Sequence, residues 1–311
     1  MTERTVESLA DYVDAVCSID CTLIRNGADY NEELLFRGHS NSNYELMPAL
    51  GRNRPFNVAI SIFNEERNLI ELAKYRLPDI FNSSLRPVEL LALLQHYGIP
   101  TRLLDLTENA LVALFFACNH SMDKDGEVIL FKNNNLDTSN YPLYDAIAES
   151  YKFARGTQTF VSSFYEDVIE QPYFLEQKKA QEVIYDGDKE KGALWVEECC
   201  KKPLFIYAPV RSNRQLAQSG RYILFPNTIE HPNVDDMPEA NRIPFFTTMI
   251  TPLDKNDDCI AGRIIVPACK KKDVLSKLSL FGINEATLFG DSVDSVCKGI
   301  LNECSLRIKN H

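Results

Sequence analysis

Apolar residues recur along this chain with two different periods, and the alternation between them predicts an α+β protein. In residues 6–17 Leu9, Tyr12, Val13, Val16 and Cys17 fall at helical spacing, and Leu34, Leu35 and Phe36 then form a short apolar run before Gly38. A helix followed by a strand is expected there. Pro48 and Gly51 to Pro55 break the pattern, after which Ile60, Phe63, Leu69, Ile70 and Ala73 mark a long helix within 57–75. Pro87 suits the first position of a helix over 89–97, closed by Gly98 and Pro100. Residues 101–105 are short enough for a strand or an extended turn. Residues 110–118 are apolar on all sides, as in a helix buried in a domain centre, and too few to span a bilayer. Residues 127–131 read as a strand, followed by an Asn-rich loop at 133–135.

The stretch 141–200 is mostly helical in composition, with breaks at Pro142, Pro172 and Gly187. The last third changes character. Residues 204–207, 221–225, 245–250 and 263–266 are β-rich, and 271–280 and 292–304 close the chain as helices. The early strands have too few neighbours to form a sheet alone, so they are expected to pair with the late ones. The expected architecture is a single interleaved domain with a mixed or antiparallel sheet built largely from late strands, flanked by helices and carrying a helical insertion at about 141–200. Its boundaries would be a helical lead-in over 1–29, the domain over 30–303 and a tail over 304–311.

Composition narrows the function classes. A chain of 311 residues that is 45% hydrophobic buries a substantial core. Its net charge of −11 argues against non-specific attachment to nucleic acid, and the cluster Lys270-Lys271-Lys272 reads as a solvated turn. Residues 1–26 lack the apolar run of a leader, and no stretch is long enough to cross a membrane, so a cytoplasmic protein is expected. Nine cysteines then imply a reducing compartment. Cys17 and Cys21 lie one helical turn apart and Cys199 and Cys200 are adjacent, but no second pair completes a zinc site, so core cysteine rather than metal ligand is expected. Phosphate loops of Walker type, GxSxG and HExxH are absent from the sequence, as is a carboxylate cluster suited to Mg²⁺.

Two polar islands remain. Gln95 to Asn109 packs eight polar or ionisable side chains between two apolar helices. A buried Arg102–Asp105 ion pair, a helix cap from Thr107 or Asn109 and a helix stop at Gly98 would explain part of it. They account less well for Gln95, His96 and Thr101. The second island is Phe36-Arg37-Gly38-His39-Ser40, where an arginine at a strand end, followed by a glycine that lets a ligand approach the backbone, suits recognition of phosphate or carboxylate. A surface arginine is the plainer alternative. Because each island flanks an apolar element that must reach one core, their polar ends, together with Gln218, are expected to meet at one rim. Arg102 and Asp105 would be the structural pair there, leaving Arg37 for the ligand.

Phe36-Arg37-Gly38, the spaced Tyr44, Leu46, Pro48 and Arg52, the block Leu94 to Thr107 with the helix Leu111 to Ala117, and Asn213-Arg214-Gln215 with Gln218-Ser219-Gly220 closely resemble the bacterial FRG domain family over about 30–303. Leu106 stands where that family commonly has Trp, and Gly290 where Pro is expected. A weaker resemblance, to ADP-ribosyltransferases, lies in the order of an Arg-bearing strand, a hydroxyl-rich strand leading into an apolar helix, and a third element before a strand. It implies an ADP-ribosyltransferase-like core and an NAD-processing enzyme, a transferase or glycohydrolase acting as a toxin or antiviral effector, with NAD as substrate and no metal. On that resemblance Arg37, Thr107 and Gln218 are the catalytic candidates, and Arg37, Gly38, Gln95, His96, Tyr97, Thr101, Arg102, Asp105 and Tyr222 hold the nucleotide. Gln218 stands where such enzymes carry Glu, which makes Asp105 and Glu108 alternative acids. The competing expectation is a non-catalytic module that binds a nucleotide or a protein target or inhibitor.

Overall fold

Strands whose side chains alternate between two apolar sets need cover on both faces, and one seven-stranded sheet with helices around it answers that need. The structure is a computed structural model that describes residues 2–20, 22–25, 28–52, 61–82, 84–133, 142–156, 158–176, 188–209, 213–232 and 244–289. In chain order the elements up to the middle are β1 (Thr2–Thr5), α1 (Leu9–Cys17), β2 (Thr22–Arg25), β3 (Ala28–Asn31), β4 (Glu33–His39), α2 (Ala49–Arg52), α3 (Ile62–Arg76), α4 (Pro87–His96), β5 (Leu103–Thr107), α5 (Ala110–Cys118) and β6 (Gly126–Asn133). There follow α6 (Pro142–Ala148), β7 (Thr159–Phe160), α7 (Val161–Val168), α8 (Pro172–Leu175), α9 (Lys189–Cys200), β8 (Leu204–Ile206), α10 (Asn213–Ala217), β9 (Gly220–Leu224), β10 (Ile229–Glu230), β11 (Phe245–Phe246), β12 (Ile260–Val266), α11 (Lys271–Leu280) and α12 (Glu285–Phe289).

The main sheet runs β1-β12-β6-β4-β5-β9-β8. Only the β1–β12 pairing is parallel, so the sheet is mixed and the protein α+β. Early and late strands interleave as expected, at β12–β6 and β5–β9. The early half nevertheless contributes more than expected: β1, β4, β5 and β6 all precede residue 134. Residues 1–29 are likewise no helical lead-in alone, since β1 forms an edge of the main sheet and β2 pairs with β3 in a hairpin. The sequence Thr2-Glu3-Arg4-Thr5 is polar, as suits an edge strand, and so gives no periodic signal. Of the expected strand at 245–250 only Phe245–Phe246 forms, within a small antiparallel sheet ordered β10-β11-β7. The closing helix at 292–304 and the tail at 304–311 lie outside the described residues.

Alternation along the strands sorts the core. Phe36, Val128, Leu130, Ile264 and Val266 pack with Val112, Ala113, Leu114 and Ala117 of α5 and with Val274 and Leu278 of α11. Leu103, Tyr222 and Leu224 pack instead with residues of α3, α4, α6 and α7. Phe36 sits directly opposite Thr107, two positions from Asp105 and four from Leu103, so all of these side chains belong to one face of the sheet. That face therefore carries two separate helical blocks, which meet over the junction of β4 and β5. The opposite face, with Leu35, Ile129, Phe131, Leu104, Leu106 and Ile223, is covered by Leu46, Leu50 and Ile62.

Candidate functional site

The junction between the two helical blocks is where β4 and β5 part company. Phe36↔Thr107 is their one paired position. One residue further on, the Asp105 carbonyl receives Nη1 of Arg37 at 2.5 Å, so a guanidinium takes the place of a strand-to-strand hydrogen bond. The opening is a cleft enclosing about 230 Å³. Phe36, Arg37, Gly38 and Phe116 line one side, Gln95 and His96 of α4 the other, Asp105, Leu106, Thr107, Gly220 and Tyr222 the sheet, and Arg214, Gln215 and Gln218 the third wall.

Arg37, the 95–107 segment and Gln218 thus do meet at one rim, although not all of the expected residues face it. Arg37 is half-buried, and burial pulls its guanidinium down to about 10, with Asp105 opposing that and Arg52 adding to it; it remains charged at neutral pH. Its Nε donates to His39 Nε2 at 2.9 Å. Asp105 is exposed in the cleft and is the one carboxylate among the described lining residues. Its Oδ1 accepts from Gln95 Nε2 at 2.6 Å, and the Gln95 carbonyl oxygen in turn accepts from the Thr101 hydroxyl. Thr101 is itself buried, so it orients Gln95 from behind rather than lining the cleft.

Arg102 overturns the expected ion pair. It is fully buried and bidentate to Glu66 of α3, with Nε–Oε1 at 2.8 Å and Nη2–Oε2 at 2.5 Å, while Nη1 donates to the Phe225 carbonyl and to Asn227 Oδ1, each at 3.1 Å. Successive strand side chains point to opposite faces, so Arg102 faces away from Asp105 and into the core beneath α3. Tyr97 is not among the described residues lining the cleft: it ends α4, is 57% exposed and packs edge-on against Phe81 and His96. Tyr222 lines the cleft, and burial raises its phenol well above the usual range.

Gly38 lines the cleft, and close packing is a further reason for a glycine there. A Cβ there would lie 2.0 Å from the Ala113 carbonyl oxygen and 2.7 Å from the Ala117 nitrogen. The residue lets α5 lie directly on β4, and the all-round apolar character of α5 follows from its being sandwiched between the sheet and α11. Asn109 caps α5, with Oδ1 accepting from Leu111 N at 2.9 Å and Val112 N at 3.3 Å.

Thr107 and Gln218 are both engaged in holding the cleft together. The Thr107 hydroxyl donates to the Gln218 carbonyl at 2.6 Å and accepts from Asn109 N at 3.0 Å, and Gln218 Nε2 donates to the Leu288 carbonyl at 3.1 Å. Glu108 is paired with Arg221, whose guanidinium stacks 3.3 Å from the Tyr207 ring centroid. Phe116, Arg214 and Gln215 line the cleft without having been singled out for a site role; the signal was the Asn213-Arg214-Gln215 motif just ahead of a strand. Arg214 lies 4.8 Å from the Phe289 ring centroid, and Phe289 packs on Phe116, so α12 braces α10 against α5. Between α10 and β9 the chain turns through Ser219 in the left-handed region, φ 47°, a conformation that costs a non-glycine residue about 1 kcal/mol.

Among the described residues no group of three or more His, Cys, Asp or Glu is placed to hold a metal, and no helix is long and apolar enough to cross a membrane. The family model described as FRG domain matches residues 32–126, from β4 through α5. Arg37, Gly38, Gln95, His96, Asp105 and Thr107 fall inside the match, and Arg214, Gln218 and Tyr222 outside it. No curated protein and no solved structure matches the chain.

Proposed function

We propose that this chain, which carries an FRG domain at residues 32–126, is an ADP-ribosyltransferase-like enzyme that binds NAD in the cleft and breaks its nicotinamide–ribose bond. One observation carries the reading: the three motif-bearing strands are immediate neighbours in the sheet, β4-β5-β9, and bring Arg37, Asp105 and the Gln218 turn to the same opening. Arg37 and Arg214 supply positive charge for the diphosphate. Tyr222 and Phe116 offer ring faces. Asp105, rather than Thr107 or Gln218, is the group able to stabilise positive charge on the ribose, because it is the one carboxylate among the described lining residues, while the Thr107 hydroxyl and the Gln218 amide nitrogen hold neighbouring backbone.

In the reaction the glycosidic C–N bond breaks with its electron pair moving onto the pyridinium nitrogen, which becomes neutral. The oxocarbenium left on the ribose is attacked by water or an acceptor nucleophile, and the attacking group's proton goes to solvent. Little covalent help is needed, so charge placement and orientation dominate. The enclosed volume of about 230 Å³ is below the range of roughly 300–1,000 Å³ usual for whole-ligand pockets, so it suits one half of a dinucleotide, with the other half along the open rim.

A second reading, a non-catalytic nucleotide- or protein-binding module, draws support from the structural engagement of Thr107 and Gln218. Nicotinamide release and calorimetric NAD binding separate the two. Release that is lost in Arg37→Ala and falls by about 100-fold or more in Asp105→Asn, as for loss of one transition-state charge stabiliser, supports the enzyme. NAD binding without release, alone and with cell lysate, supports the module. Neither binding nor release removes NAD from consideration.

A further inference from the structure

The nitrogens of Arg37 are not equivalent. Nε is held by His39 Nε2 at 2.9 Å and Nη1 by the Asp105 carbonyl at 2.5 Å, while Nη2 makes no hydrogen bond among the described residues. A guanidinium only donates, so His39 Nε2 must accept and carries no proton. The ring proton is then on Nδ1, which lies 3.2 Å from Glu127 Oε1. Glu127 is wholly buried on β6, and its carboxylate also receives Lys255 at Oε1 and Arg263 at Oε2, the latter through Nε at 3.1 Å and Nη2 at 2.8 Å.

We propose that His39 is a positioning residue: anchored on Glu127 as the neutral Nδ1–H tautomer, it fixes Nε of Arg37 so that Nη2 faces an anionic group in the cleft. This rests on the reading of the cleft as a nucleotide site. Burial, which pulls the His39 imidazole down to about 4, keeps the ring neutral at physiological pH, so it does not repel the guanidinium it holds. Arg37 then enters the complex already ordered, and the loss of side-chain freedom on binding is reduced. With Nε–H and one Nη1–H engaged, the two-pronged grip through Nε and Nη2 is closed, and Arg37 offers a ligand its Nη2 N–H groups and its charge, while Arg214 lines the same cleft for a second contact.

Two variants test this. In His39→Gln the amide nitrogen can donate to Glu127 while the amide oxygen accepts from Arg37, whereas His39→Leu can do neither. Nitrogen-15 NMR of the wild type should show His39 protonated at Nδ1 and an Arg37 Nε–H protected from exchange. The protected signal should survive in the Gln variant and vanish in the Leu variant. NAD affinity, by calorimetry, should fall about tenfold in His39→Leu, as for loss of a partner that orients a binding group, and stay within about threefold in His39→Gln. A proton on Nε2, an Arg37 signal unchanged by the Leu variant, or a folded Leu variant that binds NAD as the wild type does would overturn the assignment. If the Leu variant does not fold, loss of the protected signal in the Gln variant overturns it. If the wild type binds no NAD, the reading of the cleft fails, and the NMR signals still decide the role of His39.

Discussion

Arg102 and Asp105 are three residues apart, yet they do unrelated work. Arg102 is sealed in the core by both carboxylate oxygens of Glu66, 36 positions earlier in the chain. Asp105 stands open in the cleft, with Gln95 on one oxygen. Removing one partner of a buried pair strands the other charge, so Glu66→Ala should lower unfolding free energy by about 3–5 kcal/mol in chemical denaturation. Asp105→Ala removes an exposed side chain and should change it by no more than about 0.5 kcal/mol. The reverse ranking would restore the local pair that spacing alone suggests. Spacing could identify both residues as unusual; the partner of Arg102 was illegible because α3 reaches it only through the fold.

At the scale of elements, the helix α5 and the strands beneath it depend on glycine for close approach. Gly126 repeats the arrangement at Gly38, with a Cβ position 2.1 Å from the Ala117 carbonyl oxygen. Backbone atoms cannot yield as a flexible side chain would, so Gly38→Ala should push α5 off β4. The expected cost is about 3 kcal/mol, the upper end for overpacking, read as a lowered denaturant midpoint. If the cleft is the proposed nucleotide site, NAD binding should weaken with it, because Phe116 of α5 forms one side of the cleft. A Gly38→Ala protein of wild-type stability would return the glycine to the ligand-approach role. The helix itself was legible from its apolar run and its Asn109 cap, as were α4, with Pro87 at its start, and Gly98, φ +83°, just after it. The edge strand β1 was not, because its residues are polar and its one strand partner among the described residues is some 260 residues away.

For the whole molecule, the network behind Arg37 ties stability to pH. The His39 imidazole sits near 4 in the folded protein against an ordinary 6.5, so between those values the unfolded chain binds more protons and stability rises with pH. Glu127 acts in the same direction. Burial pushes its carboxyl up, but hydrogen bonds from His39, Lys255 and Arg263 outweigh this and hold it below the ordinary value, so its contribution is lost as pH falls below the usual carboxylate range. Acidification from pH 7 to 4 should therefore remove about 3 kcal/mol through His39 alone. Thermal melts across that window should show a steeper decline for the wild type than for His39→Gln, which has no imidazole to protonate. Parallel curves would mean that His39 titrates normally and is not sealed against Glu127.

What the sequence by itself determined is the part of the protein governed by local rules: the α+β class, most helices with their caps and stops, the two polar islands and their FRG-like motifs. Periodicity and capping act within a few residues and leave their record there. What only the tertiary structure decided is which partner each polar side chain finds. The pairing of Arg102 with Glu66, the anchoring of His39 on Glu127 behind Arg37, and the packing of α5 on Gly38 all join segments distant in sequence. They arise because a single sheet brings β4, β5, β6 and β9 side by side, and a buried charge or a close backbone contact is settled by what lies nearest in space.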